Sequence, residues 1–173
     1  MFAEFAIALP LLILLGWGLA SVGVKIFELG KNQLADYVLE EEVHDVLSRL
    51  IYDARAAKII KKENDITLIF TYRTVNEIRA KDGNLAIGDV IADKEEHRIY
   101  MVAGKKIHYK RSTEYASHPI TGNNYFGETE VETFDFEFDA TTKILHVTLE
   151  LKSKVTDHKI KMSTAVYASG CES

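Results

Sequence analysis

Glu4 occupies the least ordinary setting of any ionisable side chain in this sequence. It stands at the front of an uncharged, strongly apolar run over residues 5–24, and the next charges, Lys25, Glu28 and Lys31, come only behind that run. A carboxylate at the edge of an apolar span is costly to desolvate unless it finds a partner. Its chemistry is therefore pairing: an ion pair with an amine supplied from elsewhere, or a charge that snorkels to a polar boundary. The other chemistry-bearing residues are dispersed. His44, His97, His108, His118, His146 and His158 include no pair at metal-ligand spacing. No nucleophile elbow, Walker sequence or glycine-rich phosphate loop is present. The lone Cys171 admits no internal disulfide and reads as an ordinary thiol. Glu130, Glu132, Glu137 and Asp139, with Asn123 and Asn124, carry the oxygen ligands that calcium takes, although a solvated sheet face explains the same acids at lower cost. No catalytic set, metal site or cofactor is expected.

The element that positions Glu4 is the apolar run itself. About twenty uncharged residues match one helical crossing of a ~30 Å hydrocarbon core. A cleavable secretory signal would carry a basic N-terminal region, whereas Met1-Phe2-Ala3-Glu4 carries an acid and no base; Gly18-Leu19-Ala20 supplies only a loose cleavage site. An uncleaved anchor and an assembly helix both remain open. Pro10 removes one helical hydrogen bond and predicts a kink or a locally melted turn. The helical pattern then continues. Residues 25–62 hold no proline and one glycine, Gly30, which beside Asn32 is the expected place for a bend or fray. Val43, Leu47, Leu50, Ile51 and Ala54 form the apolar stripe of an amphipathic helix, opposite Glu40, Glu41, Asp45, Arg49 and Asp53. Glu40-Glu41-Glu42 reads as a solvated face. Continuous from residue 3 to 60, such a helix would be ~85 Å long, and its outer half needs a surface to cover its stripe.

That surface follows in the chain. Residues 66–72 are β-branched and aromatic after an Asn64-Asp65 turn, and residues 97–102 and 105–111 flank a short Ala103-Gly104 connection. Residues 131–138 alternate apolar and acidic side chains, with Thr133 breaking the phase once. Residues 144–151 repeat the alternation and 158–166 give a last strand, with turns at 139–143 and 153–157. Residues 85–91 are a further short strand candidate, and 112–128 read as a loop. The expected fold is α+β: a long N-terminal helix whose outer half packs on a mostly antiparallel sheet of four to six strands. At 173 residues there is room for one modest domain beyond the apolar segment. A net charge of -5 with scattered Lys and Arg gives no reason to expect nucleic-acid binding, and fits an acidic extracytoplasmic domain.

The string Glu4-Phe5-Ala6-Ile7-Ala8-Leu9-Pro10-Leu11-Leu12 resembles the start of TadE-like pilins, and the early glutamate is shared across the type IV pilin superfamily. Residues 46–57 and the segment Pro119-Ile120-Thr121-Gly122-Asn123-Asn124 are similar to stretches of the PulJ/PilW class of minor pilins and pseudopilins. The resemblance implies a structural subunit of a type IV pilus, type II secretion or DNA-uptake filament, stored in the cytoplasmic membrane as a single-pass protein with its C-terminal domain outside. Its partners would be other pilin subunits, the assembly machinery and membrane lipid along residues 5–24. Glu4, Phe5 and Pro10 would serve assembly, Glu4 by pairing with a neighbour's N-terminal amine. Val43, Leu47, Leu50 and Ala54 would hold helix to sheet. The implied divisions are an assembly helix over 1–28, its amphipathic continuation over 29–62 and a sheet domain over 63–173. Prepilins carry a basic leader ending in glycine, with the glutamate fifth in the mature chain. Here Glu4 is fourth, so either this start is internal to the true reading frame or processing differs. A different class also fits the residues: a single-pass anchored binding or sensor domain that acts alone.

Overall fold

A single helix, α1 (Phe2–Ala56), precedes every strand of the protein. The computed structural model describes residues 2–74, 94–112, 116–123 and 128–171, with residues 2–8, 73–74 and 94 as backbone alone. At about 1.5 Å per residue α1 extends ~80 Å. It runs on through Pro10 and Gly30, so neither the melted turn expected at Pro10 nor the fray expected at Gly30 interrupts it. One lost hydrogen bond and one glycine, about 1 kcal/mol against alanine, are small beside the strong helix formers around them.

The helix ends earlier than its charge pattern suggests. The continuation expected over 29–62 stops at Ala56: the Lys58 N–H donates to Thr71 O at 2.8 Å, and β1 (Ile59–Asn64) follows as a strand. The β-branched pair Ile59-Ile60 favours the extended backbone. Asn64 closes the turn to β2 (Thr67–Thr74), its Oδ1 accepting the Ile66 N–H at 3.0 Å. At the same helix end, the hydroxyl of Ser169 donates to Arg55 O.

The strands form two antiparallel sheets where the sequence suggested one. The first has the order β1-β2-β3-β4-β5, with β3 (Lys94–Ala103), β4 (Lys106–Arg111) and the two-residue β5 (His118–Pro119). The second is the meander β6 (Thr129–Asp139), β7 (Ile144–Ser153), β8 (Lys159–Tyr167). A hydrogen bond from Val131 N–H to Lys105 O, 2.8 Å, ties them at one corner. The expected connection at Ala103-Gly104 shifts by one residue: Ala103 pairs with Lys106, and Gly104 and Lys105 make the turn with φ of 57° and 60°. Two positive φ angles in a two-residue loop match the twist of the flanking strands. The broken alternation at Thr133 is a register shift between Val131 and Thr133 in the β6–β7 ladder, which returns Phe134 and Phe136 to the interior. The strand expected over 85–91 lies outside the described residues.

Both sheets and the outer half of α1 close on one core. Leu39, Val43, Val46 and Leu50 meet Leu68, Phe70, Tyr100 and Ile107 of the first sheet and Leu145, Val147, Leu149 and Leu151 of the second. The helix packs chiefly along β7 and β8 and also touches β2. Burying each such aliphatic side chain stabilises the fold by about 1.5–3 kcal/mol before entropy is counted.

Candidate functional site

The two halves of α1 have opposite surfaces. From Leu9 to Leu29 the large apolar side chains are all exposed, Trp17 at 78% and Phe27 at 75% among them. Pro10 is exposed in the same stretch, and Glu4 and Phe5 lie in the helix before it. The segment is long and apolar enough to cross a membrane, with a mean hydropathy of 1.9 over its most apolar window. From Ala35 onward the apolar side chains turn into the core. Val43, Leu47, Leu50 and Ala54 are buried, as their spacing predicts, and Ala35, Val38, Leu39 and Val46 extend the stripe. Ile51 is half-buried at its edge.

Two carboxylates that residue type places on the solvent face instead meet the sheets, Asp53 buried and Glu42 half-buried. Asp53 is 3% exposed. Its Oδ1 accepts from Arg98 Nη1 at 2.5 Å, its Oδ2 from the Tyr100 hydroxyl at 2.6 Å, and its backbone carbonyl from the Tyr72 hydroxyl at 3.0 Å. The Arg98 guanidinium lies over the Tyr72 ring, 4.4 Å from its centroid. Burial works against the charge on Arg98, but the adjacent Asp53 carboxylate and its neighbours outweigh it and raise the guanidinium further. Burial and the same carboxylate raise the Tyr100 and Tyr72 phenols far above their ordinary value. All three groups therefore stay protonated and donate. Position 53 falls three residues after Leu50, inside the arc of the buried stripe, and that spacing is the sequence signal that marks it.

Glu42 fastens the middle of the packed half. Its carboxylate accepts the Gly122 N–H at 3.0 Å and the hydroxyl of Thr129, which joins β6 and the segment before it to the helix. Gly122 has φ of 68°, and a Cβ there would stand 2.7 Å from Thr129 O, so the approach requires glycine. Desolvation raises the Glu42 carboxyl above its ordinary value, against the opposing pull of Thr129, Gly122 and Lys106. Near the N-terminal end of the packed stretch, the Thr156 hydroxyl donates to Asp36 at 2.6 Å.

Beside Asp53 the surface opens into a cleft of about 330 Å³, bounded by Arg49, Tyr52, Arg98, Tyr109 and Arg111. Arg49 pairs with Asp45 at 3.0 Å, and Arg111 Nε donates to the Tyr109 hydroxyl at 3.1 Å. Cys171 is a buried free thiol whose pKa is raised by burial. Three of the acids considered for calcium are otherwise engaged: Glu130 with Lys105 and Lys154, Glu132 with Lys159, Asp139 with the Thr141 N–H and Thr142 hydroxyl of its own turn; Glu137 is exposed on β6. Asn124 lies outside the described residues, and among the described residues no three His, Cys, Asp or Glu side chains cluster as a metal site. The chain matches no protein-family model, no curated protein and no solved structure.

Two outcomes test the polar fastenings. Asp53→Ala leaves the partly buried Arg98 without its carboxylate partner and the buried Tyr100 phenol without its acceptor, and is expected to cost about 3–5 kcal/mol in urea unfolding of the detergent-solubilised chain. A loss under about 1 kcal/mol would contradict the network's role. For Glu42 the folded-state value lies above the ordinary 4.5, so the folded chain binds a proton that the unfolded chain releases. That contribution is fully present below 4.5 and is lost as pH rises through the raised value. The stability of the wild type relative to Glu42→Gln should fall as pH is raised across this window; a pH-independent difference would show that Glu42 titrates normally.

Proposed function

We propose that this chain is a minor pilin or pseudopilin, a membrane-stored subunit that joins an extracytoplasmic filament of the type IV pilus, type II secretion or DNA-uptake kind. One observation carries the reading: the bare apolar half of α1 and the half that forms the domain's core are the same unbroken helix. An anchor needs only to hold a domain near a membrane, and a flexible link would serve. A subunit whose apolar helices bundle into a fibre needs the domain rigidly joined to that helix, because helix packing then sets where each domain sits. The thirteen large apolar side chains exposed from Leu9 to Leu29 along one rod have two places to go, lipid before assembly and neighbouring helices after it.

In this reading Glu4 enters the low-dielectric fibre core with each subunit, where the N-terminal amine of a neighbour offsets the cost of its charge and fixes the axial register. Pro10 removes a hydrogen bond one and a half turns further on, which eases local melting as subunits pack. The sheet domain would face the exterior, and the chain would perform no catalysis. Glu4→Ala should leave the protein folded and membrane-bound while reducing its recovery in sheared filaments by about tenfold or more, read by immunoblot of the sheared and membrane fractions. Wild-type incorporation of the variant would count decisively against the proposal.

A further inference from the structure

Between the bare half of α1 and the half that enters the core lie residues 25–37, and the two sides of this stretch differ. Lys25, Glu28 and Asn32 follow one another at intervals of three and four residues and run on into Ala35 and Leu39, so they prolong toward the apolar run the stripe that the domain covers. Lys31 stands about one turn before Ala35 on the same side. The opposite side is apolar. Ile26 and Tyr37 are eleven residues, about three turns, apart and point the same way, roughly 180° from Ala35. Phe27 and Leu34, about two turns apart, flank them, with Leu29 and Gly30 between and Gln33 as the one polar residue on that side. The large apolar side chains of this back are all exposed, Tyr37 at 63%.

An upright helix would leave part of this back in water. The run from Leu9 to Leu29 is about 30 Å long, a full hydrocarbon core. Tyr37 then stands about 12 Å beyond it, outside a headgroup layer about 5–8 Å deep. A lean removes the conflict. A helix about 10 Å across that leans by about 30° leaves the hydrocarbon about four residues later on its under side than on its upper side. The sequence carries that offset: the first charge on the domain side is Lys25, whereas the back stays apolar through Leu29. The same lean brings Leu34 to about 6 Å and the Tyr37 ring to about 8 Å from the hydrocarbon, within the headgroup layer, where a phenol has an apolar body and a wet hydroxyl. We infer that α1 leans away from its domain in the bilayer and lays the back formed by Ile26, Phe27, Leu34 and Tyr37 on the lipid headgroup layer. Lipid is the occupant because this face continues the exposed apolar run without a charged residue on that side. Lys25, Glu28, Lys31 and Asn32 lie on the upper side beneath the domain, and the Lys25 stem lets its ammonium reach the phosphates. The inference rests on the membrane-stored state of the proposed function and adds its orientation and the face that lipid holds.

The experiment uses the full chain in lipid nanodiscs holding one copy each, with Trp17→Phe so that a single indole reports. Asn32→Trp and Gln33→Trp place that indole at adjacent residues on the upper and under sides, and lipids brominated near the top of their acyl chains quench it according to depth. Both variants should keep the circular dichroism of the wild type, since residues 32 and 33 are exposed. In a leaning helix the indole at position 33 lies about 3 Å deeper than the one at position 32 and should be quenched about twofold more strongly; in an upright helix it lies about 1.5 Å shallower and the order reverses. Equal quenching or the reversed order would overturn the inference. Protection of position 33 from aqueous iodide that arises only in discs loaded with two copies would show that a second chain covers the back, and would overturn it too. Quenching of wild-type Trp17 by bromines at mid-chain separates this inference from its premise: strong quenching there with the upright order at 32 and 33 removes the lean and leaves the membrane crossing, whereas no quenching at Trp17 removes both.

Discussion

A rod that belongs to two environments is the constraint on which this molecule depends. Residues 9–29 of α1 expose apolar side chains all round, and no part of the described domain reaches back to cover them. Residues 35–54 of the same helix supply the spine of the domain's core. Because the helix does not break between them, whatever satisfies the first half dictates the position of everything attached to the second. The sheets are passengers on the helix, and the orientation of the cleft follows from the helix axis.

Apolar packing alone leaves the rotation of a helix on a sheet loosely specified, since aliphatic side chains repack with modest loss. The carboxylates remove that freedom. Asp53 reaches two strands of the first sheet through Arg98, Tyr100 and Tyr72, while Glu42 reaches β6 and Gly122, and Asp36 reaches the turn after β7. A rotation of the helix by one residue, 100°, would break all three sets at once. Buried ion pairs add little net stability, so specifying one arrangement is the role that fits them here. Rigid transmission of position from the apolar half to the domain depends on that single arrangement.

The helix was legible in the sequence because its two signals, an uncharged run and a 3.6-residue stripe, are long. The buried set Val43, Leu47, Leu50 and Ala54 came directly from the stripe, and the alternation of residues 131–138 and 144–151 gave two strands with their inner faces. The end of the helix was not legible: Lys58, Lys61 and Lys62 suit a helix face, and no proline or glycine marks the change at Ala57. Alternation tells which face of a strand is inward but not which strand lies beside it, and so two sheets read as one. Asp53 and Glu42 were assigned to water by residue type, although Asp53 falls inside the buried arc. Their partners, Arg98 45 residues away and Thr129 87 residues away, become neighbours only through the fold. For Glu4, Phe5 and Pro10 the sequence offers placement on the helix, and the assembly role proposed for them rests on the resemblance of that short string.

The central claim, that the bare half of α1 is embedded while the rigidly joined half is not, is tested most directly by spin labels placed singly from residue 9 to residue 36 of the full chain in lipid nanodiscs. Collision with oxygen and with a water-soluble nickel complex would be compared at each position. Residues 9–24 should be open to oxygen and closed to nickel on every side of the helix, with the preference reversing within a turn or two beyond Lys25. Nickel access along one face of residues 9–24 would mean that the helix lies at a surface or folds against protein, and would contradict the claim.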